Sequence, residues 1–121
     1  MDYHLLGQTG LKVSRLCFGT LTISPLQANL PLSEGVNVLK TALEAGVNFI
    51  DTAELYQSYA YIKKIIPDFK DVIIASKSYA YTWKGMEQSV HKACREIGRE
   101  YIDIFMLHEQ TSRLTLKGHY E

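Results

Sequence analysis

Apolar runs of strand length alternate with stretches of helical periodicity through almost the whole chain, and this order leaves few folds open. The opening "YHLLGQTGLKVS" predicts a β-hairpin turning at Gln8-Thr9-Gly10, followed by a strand around Leu16 to Thr20. After a loop holding Pro25 and Pro31, Ser33 is placed to cap a helix with Val36, Leu39 and Leu43 on one stripe, and Gly46 is placed to end it. "VNFID" is the next strand. Tyr59, Ile62 and Ile66 repeat the helical spacing until Pro67, and the β-branched "DVIIASK" follows as a third strand. Met86, Val90, Ala93 and Ile97 mark a third helix ending near Gly98, before the strand "YIDIFMLH". Strands apolar on both faces and separated by helices predict βαβ units around a parallel sheet, an α/β fold.

Composition narrows the partners. The 121 residues are 46% hydrophobic and 21% charged, which suits one modest core, and 13 basic residues balance 13 acidic ones. With no basic run or net positive field, neither nucleic acid nor a membrane surface is expected as a partner; a small molecule or a protein is. No apolar stretch approaches the roughly 20 residues that span a bilayer, and the N-terminus lacks a signal pattern, so a cytoplasmic protein is expected. Cys17 and Cys94 form neither a metal-ligand pair nor a disulfide framework, and both are expected to be reduced and packed.

In parallel α/β folds the ligand site lies beyond the carboxyl ends of the strands, so the residues that end each run deserve inspection. The second run ends at Asp51, the third at Lys77 and the fourth at His108. Alternation puts Asp51 on one strand face with Phe49 and Val47, Lys77 with Ala75 and Ile73, and His108 with Met106 and Ile104. Tyr56, about a turn after Asp51, can lean over the same rim. A lysine ammonium beside a phenol favours the phenolate, an aspartate holds the lysine charged, and a histidine can hydrogen-bond a substrate oxygen. The group lacks a strong nucleophile and metal-ligand spacing, so the chemistry it suits is carbonyl polarisation and proton donation with a hydride donor from outside.

The stretches "LGQTGLKVSRLCFGT", "GVNFIDTAELY", "VIIASK" and "YIDIFMLH", in this order, resemble the aldo-keto reductases along essentially the whole chain. The resemblance implies a (β/α)8 TIM-barrel fold, present here as the N-terminal hairpin with about four strands and three helices, a half barrel. It also implies NADPH-linked reduction of an aldehyde or ketone, with Tyr56 as general acid, Lys77 and Asp51 tuning it, and His108 orienting the carbonyl. Gly19, Thr20 and Asp51 would border the nicotinamide, and no metal takes part. Two departures stand out: Gln57 occupies the place after the tyrosine where the family usually has glycine, and the segment from Tyr56 to Lys77 is short, as in a divergent bacterial branch.

A whole barrel takes roughly 250 residues. This chain stops at "LTLKGHYE", where the next helix is expected, so most of the groups the family uses to hold its cofactor would lie beyond residue 121. The open strand edges of a half barrel predict self-association or a missing C-terminal half as partner. The alternative to a working reductase is therefore a truncated, non-catalytic half barrel that folds by self-association and binds no cofactor alone. Tyr79, Tyr81 and Trp83 could wall a substrate pocket or simply cover the rim, His4, His91 and His119 are expected at the surface, and Asp103 is expected to meet a basic partner or the lower rim.

Overall fold

A computed structural model describes residues 1–120. Tyr3–Leu5 (β1) and Lys12–Ser14 (β2) form the hairpin, with Tyr3 opposite Ser14 and Leu5 opposite Lys12. Gly7 and Gly10 both take positive φ at the turn, where Leu6 N–H donates to the Leu11 carbonyl at 2.8 Å. The hairpin lies against the start of the main sheet: Ser14 N–H donates to Asn48 Oδ1 at 2.6 Å, Asn48 Nδ2 donates to the Lys12 carbonyl, and the Tyr3 hydroxyl donates to the Gly46 carbonyl.

The main sheet is parallel and runs in chain order: Phe18–Gly19 (β3), Phe49–Asp51 (β4), Ile73–Ser78 (β5) and Ile104–Leu107 (β6). In register, Gly19 faces Asp51, Asp51 faces Ala75 and Lys77 faces Met106. The connections carry the helices Leu32–Glu44 (α1), Tyr59–Ile65 (α2) and Trp83–Ile97 (α3). Parallel strands need such crossovers, and the helices cover the face from which Ile50 and Ile74 point. Those two, with Leu39, Ile62, Ile65 and Ile97, are fully buried and make the core. Each such side chain stabilises the fold by roughly 1.5–3 kcal/mol before entropy is subtracted.

A layer of buried hydroxyls lies between this core and the carboxyl rim. The Thr20, Thr52 and Ser58 hydroxyls pair with one another at 2.8–3.0 Å, Tyr59 with Ser76 at 2.7 Å, and Ser78 with Ser89 at 2.9 Å. Pairing is what makes their burial tolerable.

Several expectations are corrected. Ser33 does not cap α1: the helix begins at Leu32, with Pro31 at the cap position, where its missing N–H costs nothing. The third helix is instead capped by Thr82, whose hydroxyl accepts from Gly85 N–H at 3.1 Å, and its buried stripe is Ser89, Ala93 and Ile97, with Met86 and Val90 only half-buried. Strand β3 is shorter than expected, leaving Leu16 and Cys17 outside it and exposed, so Cys17 is not a packed residue. A fourth short helix, Arg113–Lys117 (α4), capped by Ser112, does lie at the final "LTLKGHYE", where the next helix is expected. His119 is half-buried, whereas His4 and His91 are exposed as expected. Gly46 ends α1 as expected, at φ +99. Asp103 does meet a basic partner: it accepts from Arg99 Nη1 at 3.3 Å and from Ile74 N–H at 2.9 Å, tying β5 to the turn before β6. Among the described residues no helix is long and apolar enough to cross a membrane.

Candidate active site

The four rim residues come together. Lys77 lies on β5 with its ammonium 2.9 Å from both Asp51 carboxylate oxygens and 2.9 Å from the Thr52 carbonyl. Those three acceptors take up its three N–H donors. The same nitrogen stands 5.0 Å from the centre of the Tyr56 ring, which places its charge over the ring face and not in a hydrogen bond to the hydroxyl. His108, buried directly after β6, meets Tyr56 edge-on with ring centres 6.0 Å apart.

Tyr56 reaches the rim on a one-turn 3-10 helix, Glu54–Tyr56, and not on α2 itself. Gln57, at the glycine place of the resemblance, takes φ +55 and ψ +30, the left-handed geometry that glycine enters freely. The turn is pinned through Glu54, which accepts from the Ser78 hydroxyl at 2.7 Å and from Lys92 Nζ at 3.1 Å. Burial works to raise the pKa of Glu54, but the hydrogen bonds from Ser78, Ser89 and Lys92 outweigh it and leave the carboxyl below its ordinary value. Sequence reasoning missed Glu54, Ser89 and Lys92. The signal available was an acid two places before the tyrosine, with a serine and a lysine three apart on the next helix.

Among the tyrosines, bonding and burial set Tyr56 apart. Tyr3, Tyr59, Tyr61 and Tyr79 donate or pair within the fold, to Gly46, Ser76, Leu30 and Glu109 respectively. Burial pushes the Tyr59 phenol up to about 12, which removes it from proton exchange near neutrality. The His108 imidazole is held below its ordinary pKa, first by burial and then by the Lys77 charge, so it is neutral at neutral pH. Its Nδ1 is buried with no partner among the described residues, which leaves Nε2 as the nitrogen available to a ligand. The Cys17 thiol is pushed up to about 11, first by partial burial and then by the Asp51 charge, although the residue as a whole is exposed. It is no thiolate nucleophile.

The remaining candidates fall in different places. Gly19 is exposed at the end of β3 beside Asp51, whereas Thr20 is buried and its hydroxyl is bonded to the Asp51 carbonyl, Thr52 and Ser58. Tyr79 stacks on His108, while Tyr81 and Trp83 lie exposed further along, Trp83 beside the Lys84 ammonium. Among the described residues no cluster of His, Cys, Asp and Glu could hold a metal ion.

Parallel strands in chain order, backed by helices, closed below by a hairpin and crowned by a Tyr-Lys-Asp-His group, define a partial (β/α)8 TIM-type barrel. Residues 15–115 match the aldo/keto reductase family, and the chain belongs to it. It is 25% identical to the aldo-keto reductase YhdN of Bacillus subtilis, over 89% of this chain and 38% of that protein. It is 24% identical to the L-galactose dehydrogenase of Arabidopsis thaliana, over 90% of this chain and 38% of the relative. The thermostable aldo-keto reductase Tm1743, solved with the inhibitor epalrestat, superposes with a TM-score of 0.78 at 31% identity, over 89% of this chain and 43% of that one. The chain thus spans well under half the length of these relatives.

Proposed function

We propose that the rim serves an NADPH-dependent reduction of an aldehyde or ketone, with Tyr56 as the proton donor. The observation that carries this reading is the Lys77 ammonium, fixed by both oxygens of Asp51 and standing 5.0 Å from the Tyr56 ring centre. As a carbonyl is reduced, negative charge develops on its oxygen and must be met by a proton. The Tyr56 hydroxyl gives that proton, and the phenolate left behind is stabilised by the lysine charge across the ring. Both carboxylate oxygens of Asp51 hold the Lys77 ammonium in place. Neutral His108 donates its N–H to the same carbonyl oxygen and sets the substrate against the tyrosine.

The residues present fit the nicotinamide end of the cofactor. A Cβ at Gly19 would meet nothing within 4 Å, so the end of β3 beside Asp51 is open backbone against which a flat ring can lie. When bound, the cofactor supplies the hydride. Gly19 and Asp51 would border its ring, and Thr20 would take part through its backbone, since its hydroxyl is engaged below.

The first test is NADPH binding to the purified chain, by fluorescence quenching, with mass followed by light scattering. Micromolar binding, with carbonyl-dependent NADPH oxidation that Tyr56→Phe lowers by about 10²–10⁴-fold, is the expected outcome. Binding and turnover that Tyr56→Phe leaves unchanged would remove the tyrosine from its role. Absence of binding in every oligomeric state would favour the non-catalytic half barrel.

A further inference from the structure

The residue that faces His108 most closely is not one of the four rim residues. The Tyr79 ring lies on the imidazole with centres 4.0 Å apart and planes inclined by 21°. Its hydroxyl donates to Glu109 Oε2 at 2.7 Å, and its backbone carbonyl accepts from Gln110 Nε2 at 3.1 Å. Gln110 Nε2 also reaches the His108 carbonyl at 3.3 Å, and His108 N–H donates to the Ser78 carbonyl at 2.9 Å. His108 and the two residues after it are thus tied to Tyr79 and its neighbour Ser78. Glu109 holds φ +52 within the arrangement, a left-handed geometry of the kind that costs about 1–3 kcal/mol and persists only where neighbours enforce it.

We propose that Tyr79 is the positioning residue for His108: its ring, fastened at the hydroxyl by Glu109 and at the backbone by Gln110, holds the imidazole in one orientation and shields it from water. The need for such a device follows from the histidine itself. Its Nδ1 is buried and has no hydrogen-bond partner among the described residues, so the usual way of fixing an imidazole, a bond from its second nitrogen, is not made by them. A flat stack against an anchored ring can supply the orientation instead. The groups facing the imidazole are Lys77 from β5, Asp51 from β4, Tyr56 from the 3-10 turn, and Tyr79 and Glu109 around it. Burial is the largest influence on its titration, ahead of Lys77, while Glu109 and Asp51 oppose. Stripping the ring away hydrates the imidazole, so its pKa rises towards the ordinary 6.5.

The catalytic side of this inference rests on the proposed reductase reading, but its test does not. In the 121-residue chain labelled with ¹⁵N-histidine, the His108 signals are identified by their loss in His108→Gln, and their titration and tautomer pattern are followed by NMR without cofactor. Tyr79→Ala is expected to raise the His108 midpoint and to mix its tautomers, while Tyr79→Phe, which keeps the stacked ring, leaves the midpoint low. Where the alanine variant does not fold, Tyr79→Leu, apolar but not flat, is read in its place. A folded Tyr79→Ala or Tyr79→Leu chain with unmoved His108 titration and tautomers overturns the proposal. Where carbonyl reduction is measurable, kcat falls by about ten- to a hundredfold in Tyr79→Ala at unchanged KM for NADPH. Failure of the wild-type chain to reduce any carbonyl counts against the proposed function alone, because the histidine titration is read independently of it.

Discussion

Gln57 sits directly after the proposed proton donor in a backbone geometry that an L side chain adopts at a cost of roughly 1 kcal/mol. Glycine there would relieve that strain but would also free the unfolded chain, which costs about 0.5–1 kcal/mol in return. Gln57→Gly is therefore expected to change stability by less than about 1 kcal/mol in urea denaturation, whereas a β-branched Gln57→Val should lose about 1–2 kcal/mol. His108 gives a second expectation. Its folded pKa lies below the ordinary 6.5, so the unfolded chain takes up a proton first as pH falls. Stability is untouched above about 6.5 and declines below it, and a His108→Gln chain should show a flatter fall of Tm with pH across that window. Asp51, Lys77 and His108 were legible in the sequence because each ends an apolar run, a position that alternation and parallel topology turn into geometry. Thr20 also ends a run, but the 3-10 turn Thr20–Ile23 directs its hydroxyl into the buried layer, which no one-dimensional pattern reports. Glu54 and Ser89 left only a faint spacing signal, and the stack of Tyr79 on His108 left none, because both depend on contacts between segments far apart in the chain.

At the scale of elements, two contacts fix how the rim is carried. Glu54 joins the 3-10 turn to β5 through Ser78 and to α3 through Lys92, with the Lys92 end largely solvated. Glu54→Ala should cost about 1–2 kcal/mol, mostly from the charged bond to Ser78, since an exposed ion pair contributes little. Hydrogen exchange at the Tyr56 amide, which donates to the Ala53 carbonyl, should accelerate with it; an unchanged exchange rate would show that the turn is held by other contacts. The second contact is between α1 and α2, where a Cβ on Gly35 would come 2.4 Å from Tyr61 Cε1. The Tyr61 ring cannot retreat without losing its 2.7 Å bond to the Leu30 carbonyl. Gly35→Ala gains about 1 kcal/mol of helix propensity but overpacks by roughly 1–3, so a net loss of about 1 kcal/mol is expected in chemical denaturation. Helix positions were readable from periodicity, while their ends were less so. Ser33 satisfies the usual capping rule, yet Pro31 begins the helix two residues earlier, because its fixed φ and absent N–H already suit that place.

At the scale of the molecule, the alternation of elements was enough to read a parallel (β/α) arrangement, and the sheet confirms it strand by strand. The same sheet also predicts behaviour in solution. Among the described residues, strands β3 and β6 pair on one side only, and a strand with an unpaired row of N–H and C=O groups is a template for another chain. Strand β6 adds apolar surface to its open edge, with Met106 39% and Leu107 41% exposed. Natural sheets blunt such edges with charge, and β6, "IFML", has none. The purified 121-residue chain is therefore expected to associate with itself, giving a light-scattering mass above its 13.7 kDa that rises with concentration. Replacing Met106 and Leu107 together by lysine places charge on that edge and should shift the mass back towards one chain without loss of far-UV circular dichroism. A wild-type chain that stays at one-chain mass over a hundredfold range of concentration, folded throughout, would mean that α4 and the segment after β6 cover the edge well enough in solution to replace a neighbouring strand.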